Sequence, residues 1–301
     1  MNNEEYAVCR LCPRDCGARR GERRGEGVCR MGVWPMVVRA ALHFGEEPCL
    51  VGTQGSGAVF FCGCPLHCVF CQNGQISGAA PPAGRVLSPA QLREVFLHLR
   101  AQGAQNINLV TPTHFAPAIA RALEEPVGIP VVYNCGGYER VEALRMLEGK
   151  VQIYLPDFKY ALSAPAAAYS HAADYPATAK QAILEMFRQV GPYELDAAGR
   201  LQKGVLIRHL VLPGNLDNTK RVIDWVAEQF APGEVLFSLM SQYTPCRETG
   251  FMELQRTLTP EEYDEASEYL FASGIEDGFM QDLSSATAEA IPAFDGTGVE
   301  V

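Results

Sequence analysis

The strongest chemical signal in this chain is a run of three cysteines. Residues 64–71 read Cys-Pro-Leu-His-Cys-Val-Phe-Cys, spacing Cys64, Cys68 and Cys71 as C-x3-C-x2-C. Three thiolates at this spacing suit three irons of a cubane [4Fe–4S] cluster and leave the fourth iron open to another ligand. A structural zinc site closes with four protein ligands and favours paired C-x2-C spacing, so zinc here would have to borrow Cys62 or His67. A second set, Cys9, Cys12, Cys16 and Cys29, lies in an arginine- and glycine-rich head. Its spacing fits zinc, an auxiliary iron–sulfur cluster, or free redox thiols. Arg10, Arg14, Arg19 and Arg20 stand nearby, and cations favour the ligating thiolate. Cys135 and Cys246 read as small buried hydrophobes, with a radical-relay or redox role as the alternative. Cys49 and Cys62 carry no assigned chemistry.

Eleven cysteines in 301 residues, behind a start (Met-Asn-Asn-Glu-Glu-Tyr) that predicts no export signal, point to metal or redox chemistry rather than disulfides. The expected setting is the cytoplasm. No run approaches the ~20 apolar residues of a membrane span, and 48% hydrophobic residues supply a core. The net charge of −10 argues against a dedicated nucleic-acid binder. The charge is uneven: residues 1–40 hold eight arginines against five acids, and residues 251–301 one arginine against twelve acids. Both stretches read first as solvated surface, although the basic head suits an acidic partner.

The elements that must position these cysteines alternate. A short buried strand at 57–62 leads into the central motif. Ser88 and Pro89 then open a helix whose Leu92, Val95, Phe96 and Leu99 share one face, closed by Gly103. Strand patterns follow at 106–111, 129–135, 151–157, 205–212 and 235–241, with a seventh at 275–281. Helical patterns lie near 115–125, 139–149, 177–190 and 217–230, and a last helix opens at Thr259-Pro260. Residues 193–204 read as a turn-rich insertion. The alternation predicts an α/β fold: a partial (β/α) TIM-like barrel, mostly parallel, with a small cysteine-rich N-terminal segment. The expected divisions are a metal-binding head at 1–44, the barrel at 45–285 and a flexible tail at 286–301.

With Phe70 directly before the third cysteine, Cys64, Cys68 and Cys71 resemble the radical S-adenosylmethionine signature. The surrounding Phe-Phe-Cys-Gly-Cys-Pro-Leu-His-Cys-Val-Phe-Cys-Gln-Asn is similar to the pyruvate formate-lyase activating-enzyme-like branch. The resemblance spans about residues 9–281. It implies that the open iron chelates S-adenosylmethionine and that a flavodoxin- or ferredoxin-like donor supplies one electron. Methionine and a 5′-deoxyadenosyl radical form, and the radical removes a hydrogen atom from a substrate.

Barrel enzymes gather function at the C-terminal strand ends, and those ends are polar here. The second strand ends in Thr111-Pro112-Thr113-His114, where the superfamily often has a Gly-Gly-Glu-like segment. The third ends in Asn134-Cys135-Gly136-Gly137. The fourth ends in Asp157-Phe158-Lys159, similar to the Asp-x-Lys of activating enzymes. The fifth carries Arg208 and His209 before Leu-Val-Leu-Pro-Gly, and the sixth ends in Ser241-Gln242-Tyr243. The candidate cofactor-binding residues are therefore Phe70, Thr111, Thr113, His114, Asn134, Asp157, Lys159, Arg208 and Gln242. The branch resemblance implies a glycyl radical enzyme as protein substrate. The rivals are modification of a peptide or small metabolite, and a non-catalytic binding protein stapled by zinc or a cluster.

Overall fold

The computed structural model describes residues 8–78, 84–283 and 292–300. Ten strands form a single sheet. In chain order they are β1 (Met36–His43), β2 (Ser56–Phe61), β3 (Arg85–Val86), β4 (Ile107–Val110), β5 (Val131–Cys135), β6 (Ile153–Pro156), β7 (Glu194–Leu195), β8 (Leu201–Leu210), β9 (Leu236–Met240) and β10 (Gly278–Met280). The order across the sheet is β10-β9-β8-β6-β5-β4-β2-β1-β3, with β7 attached to β8. Along the run β2-β4-β5-β6-β8-β9-β10 every pairing is parallel, and β7 joins β8 antiparallel. β1 runs antiparallel to β2 and β3, forming one edge. β10 and β3 remain unpaired with each other, so the sheet curls without closing. The expected mostly parallel partial barrel is what the chain forms.

Crossover helices cover the outer face. The best defined is Pro89–Ala101, opened by a capping box in which Ser88 and Gln91 satisfy each other's backbone N–H groups. Thr259 and Glu262 open the helix Pro260–Ala272 in the same way. The strand before this fold's first parallel strand, β1, was not legible as a strand, and neither was the helix Ser163–Ser170. The stretch 193–204 is a β7–β8 hairpin, so β8 begins earlier than the pattern predicts.

The interior holds two layers. A short helix, Pro48–Val51, inserts Cys49 and Leu50 against Val132, Ile153, Leu155, Leu206 and Leu236, forming an apolar plug. This gives Cys49 a packing role, and burial pushes its thiol up to about 12. Above the plug lies a polar layer of Asn108, Asn134, Asp157, Arg208 and Ser238, reached by Glu46 and Glu47 from the turn that precedes the plug helix. The expected flexible tail differs from what residues 292–300 do. Ala40 N–H bonds the Thr297 carbonyl, Gly296 N–H bonds the Val38 carbonyl, and Val299 is fully buried. β1 would otherwise leave backbone groups unpaired at that face, and the tail satisfies them. Residues 284–291 and 301 lie outside the described residues. No described helix is long and apolar enough to cross a membrane.

Candidate active site

The parallel register places the polar strand ends side by side. Val110 pairs with Asn134, Cys135 with Pro156, and Asp157 bridges Arg208. Thr111 N–H donates to the Asn134 carbonyl, and Phe158 N–H to that of Arg208. Val110, Thr111, Asn134, Cys135, Asp157 and Arg208 line a cavity of about 240 Å³. Cys64, Cys68 and Cys71, on the loop that leaves β2, line the same cavity. Phe70, Thr111, Thr113, Asn134, Asp157, Lys159, Arg208 and Gln242 all border this space.

His114 is the exception. Its ring is 1% exposed and its Nε2 sits 2.8 Å from the Cys62 carbonyl, inside the wall. Burial, reinforced by the Arg20 charge, lowers its pKa to about 3 and keeps the ring neutral. Thr113 borders the cavity but donates its hydroxyl to Glu139, 2.6 Å away. Thr111 holds a left-handed backbone at φ 61°, a strained state for a β-branched residue and one that concentrates at functional sites.

Each thiol of the trio has a donor on its sulfur. Leu66 N–H lies 3.3 Å from Cys64 Sγ, the Ser170 hydroxyl 3.1 Å from Cys68 Sγ and the Ser77 hydroxyl 3.5 Å from Cys71 Sγ. Burial, then the neighbouring Cys71 and Cys68, push the Cys64 thiol up to about 12. Burial raises Cys68 as well, although the Lys159 ammonium works against it. Burial and the neighbouring thiols oppose ionisation of Cys64 and Cys68, which become stable thiolates only beside a cationic centre. The set therefore fits an iron–sulfur cluster with three protein ligands. Cys135 also borders the cavity, but its thiol donates to Glu139.

A charge network lines the same cavity. Arg208 donates Nε to Asp157 Oδ1 (2.9 Å), Nη1 to Glu46 Oε2 (3.1 Å) and Nη2 to Asn134 Oδ1 (2.8 Å). Lys159 Nζ stands 2.6 Å from Asp157 Oδ2. Burial alone would raise the Asp157 pKa, but Arg208 and Lys159 outweigh it and hold the carboxyl below its ordinary value. Burial would likewise discharge Lys159, and Asp157 prevents it. Two cations thus stay charged at the cavity, fit for an anionic group of a bound molecule. Phe70 adds an aromatic wall, edge-on to Tyr169 and Tyr243.

Two site residues escaped sequence reasoning. Glu46 completes the Arg208 fork and accepts from Asn108 and Asn134. Glu139 is 2% exposed and borders the cavity, where burial raises its pKa to about 7 despite the donors Thr113, Tyr133 and Cys135. The only signal for Glu46 was a Glu-Glu-Pro turn; for Glu139 there was none beyond the Gly-Gly that precedes it.

The head meets this site directly. Cys9, Cys12 and Cys29 are buried and Cys16 is exposed. Burial pushes Cys12 up to about 12 and raises Cys29, outweighing the Arg20 charge that lowers Cys29. The expectation that nearby arginines would depress these thiols therefore fails for both. Among the described residues, no three or more His, Cys, Asp or Glu side chains converge tightly enough to hold a single metal ion.

No family model matches the chain. The uncharacterized protein MJ0674 of Methanocaldococcus jannaschii is 30% identical over 276 residues, covering 87% of this chain and 74% of that protein. This chain belongs to the MJ0674 family. The fold of this family member is shared with Streptococcus suis SuiB, whose crystal structure aligns with a TM-score of 0.50 at 12% identity over 75% of this chain. SuiB bound to precursor peptide SuiA aligns with the same TM-score at 10% identity over 76%. The chain spans about half the length of those structures, 49% of each.

Proposed function

We propose that this protein is a radical S-adenosylmethionine enzyme that modifies a peptide. The carrying observation is that the trio Cys64, Cys68 and Cys71 shares one cavity at the strand ends with Lys159, Asp157 and Arg208. An iron–sulfur cluster held by the trio would supply the one electron needed for reductive cleavage of S-adenosylmethionine. The chain's own residues do the rest. Cys64, Cys68 and Cys71 are the iron ligands. Lys159 and Arg208 receive the cofactor carboxylate, and their charge persists because Asp157 and Glu46 pair them. Thr111, Asn134 and Gln242 offer polar edges for the cofactor's amino and ribose groups, and Phe70 offers a ring face.

The peptide reading is supported by the fold shared with SuiB, a protein crystallised with a precursor peptide. A second reading, activation of a glycyl radical enzyme, is supported by Asp157-x-Lys159 and by the run from Arg208 to Gly214. The test is anaerobic reconstitution with iron, sulfide, a reductant and S-adenosylmethionine. The wild type is expected to release 5′-deoxyadenosine and Cys68→Ala is not. Equal release by both sinks the proposal. Electron paramagnetic resonance separates the substrates: a persistent glycyl signal on an added partner protein selects the second reading.

A further inference from the structure

The loop from Cys64 to Cys71 is held from outside itself. His67, at its middle, has a left-handed backbone at φ 52°, a conformation uncommon outside glycine. The carbonyls of Pro65 and Leu66 are taken by a side chain from the head. Arg14 donates Nε to Pro65 (2.7 Å) and Nη2 to Leu66 (3.0 Å), both between Cys64 and Cys68. The same guanidinium donates to the carbonyls of Ser170 (2.6 Å) and His171. These two residues close the helix Ser163–Ser170, with His171 as a left-handed cap at φ 49°. A helix end of this kind leaves carbonyls unpaired and carries partial negative charge. That end is seated on the cysteine loop. Val69 N–H donates to the Tyr169 carbonyl (2.8 Å), and the Ser170 hydroxyl lies 3.1 Å from Cys68 Sγ. The buried Tyr160 hydroxyl stands 2.8 Å behind Ser170 Oγ. One arginine therefore ties two carbonyls of the cysteine loop to two at the helix end that Cys68 touches.

The charge of Arg14 matters as much as its reach. Among the described residues its partners are these four carbonyls and the Tyr138 ring, whose centroid lies 5.4 Å from Cζ, and none is a carboxylate. Asp15, next in sequence, pairs with Arg10 and Arg140 instead. The cation is thus shared among dipoles rather than cancelled by an acid, and it offsets the negative helix end beside Cys68. An iron–sulfur cluster gains one negative charge on reduction. Its potential is therefore set by the charge around it and by hydrogen bonds to its sulfurs. Arg14 acts on both, directly through its charge and indirectly by fixing the backbone of Ser170.

We propose that Arg14 is a positioning residue for the central cluster: it fixes the cysteine loop against the helix end and, through its charge, holds the reduction potential of that cluster up. The half-reaction concerned is the uptake of one electron from a chemical reductant, which loses one, with no bond or proton exchanged. The inference rests on the reading of Cys64, Cys68 and Cys71 as cluster ligands, and the experiment separates the two.

The full chain is reconstituted anaerobically with iron and sulfide and poised with dithionite and redox mediators at one solution potential, the wild-type midpoint. Electron paramagnetic resonance reads the reduced-to-oxidised ratio from the signal that Cys68→Ala abolishes. Arg14→Gln keeps a donor but loses the charge, and the ratio is expected to fall about tenfold, ~59 mV for a one-electron couple. Arg14→Lys keeps the charge without the fork and is expected to recover most of that fall. Ser170→Ala leaves the carbonyl that Arg14 holds and removes only the hydroxyl on Cys68 Sγ, so a smaller fall in the same direction is expected. Iron kept by Arg14→Lys and lost by Arg14→Gln also supports the proposal. A ratio in Arg14→Gln within about twofold of wild type overturns it. So do equal falls in Arg14→Gln and Arg14→Lys, or loss of iron from both with a wild-type far-ultraviolet circular dichroism spectrum, since each leaves the charge without a role. A wild type with no signal that depends on Cys68 overturns the cluster reading itself, and the role of Arg14 with it.

Discussion

Replacing Arg208 by methionine should cost this protein about 3 kcal/mol, and the structure shows where that figure comes from. The guanidinium spans three acceptors, Asp157, Glu46 and Asn134, in one planar fork. Its side chain is 14% exposed, Glu46 is 9% and Asp157 is 17%. Breaking a buried pair by removing one partner costs roughly 3–5 kcal/mol, because the other charge stays buried. Asp157 retains Lys159 at 2.6 Å, so it keeps a cation. Glu46 retains only the amides of Asn108 and Asn134. One stranded charge places the loss near the lower end of the range, ~3 kcal/mol. With a urea slope of about 3 kcal/mol/M, the unfolding midpoint should fall by about 1 M. Glu46→Gln in the same chain removes the stranded charge and should return ~2 kcal/mol, a coupling of the size seen between contacting residues. Arg208→Lys should not rescue, since one ammonium cannot reach three acceptors in a plane. A single-variant loss below ~1 kcal/mol, or a double variant equal to the sum of the singles, would refute the reasoning.

Glu139 makes stability pH-dependent. Its carboxyl is raised from 4.5 to about 7, so both states are protonated below pH 4.5 and nothing is lost there. Between pH 4.5 and 7 the unfolded chain releases this proton and the native chain keeps it, so stability falls as pH rises, by ~3 kcal/mol in total. Glu139→Gln should flatten that part of the profile in urea titrations at several pH values; parallel profiles would exclude the assignment. Gly137→Ala should destabilise by at least ~2 kcal/mol, since φ is 75° and a Cβ would overlap the Asp157 carbonyl oxygen. An unchanged unfolding midpoint would show that the turn after β5 yields. Gly298→Ala should detach the C-terminal segment from β1, because its Cβ would overlap the Ala40 carbonyl. Faster proteolysis near residues 292–300 in the folded protein is the expected readout, and wild-type resistance would contradict the docked tail.

Sequence alone determined what could be written in local spacing. The C-x3-C-x2-C motif fixes three sulfurs on one loop, because a short stretch of backbone cannot separate them. Strand and helix periods fixed the parallel alternation, and Ser88 and Thr259 marked helix starts that the structure caps. Polar residues at the ends of apolar strands marked one rim, and all of those proposed except His114 border the cavity. Tertiary structure alone decided which partners those residues meet. Glu46 reaches Arg208 across 162 positions, and Arg14 reaches Ser170 across 156. No local pattern records contacts of that separation, since they arise only when the sheet curls and brings its two edges toward one another. The same distance explains the tail, whose burial depends on an unpaired face of β1 far away in the chain. It also explains the head thiols: their sequence shows arginines beside them, but the fold buries Cys12 and Cys29, and desolvation outweighs charges turned toward carbonyls elsewhere.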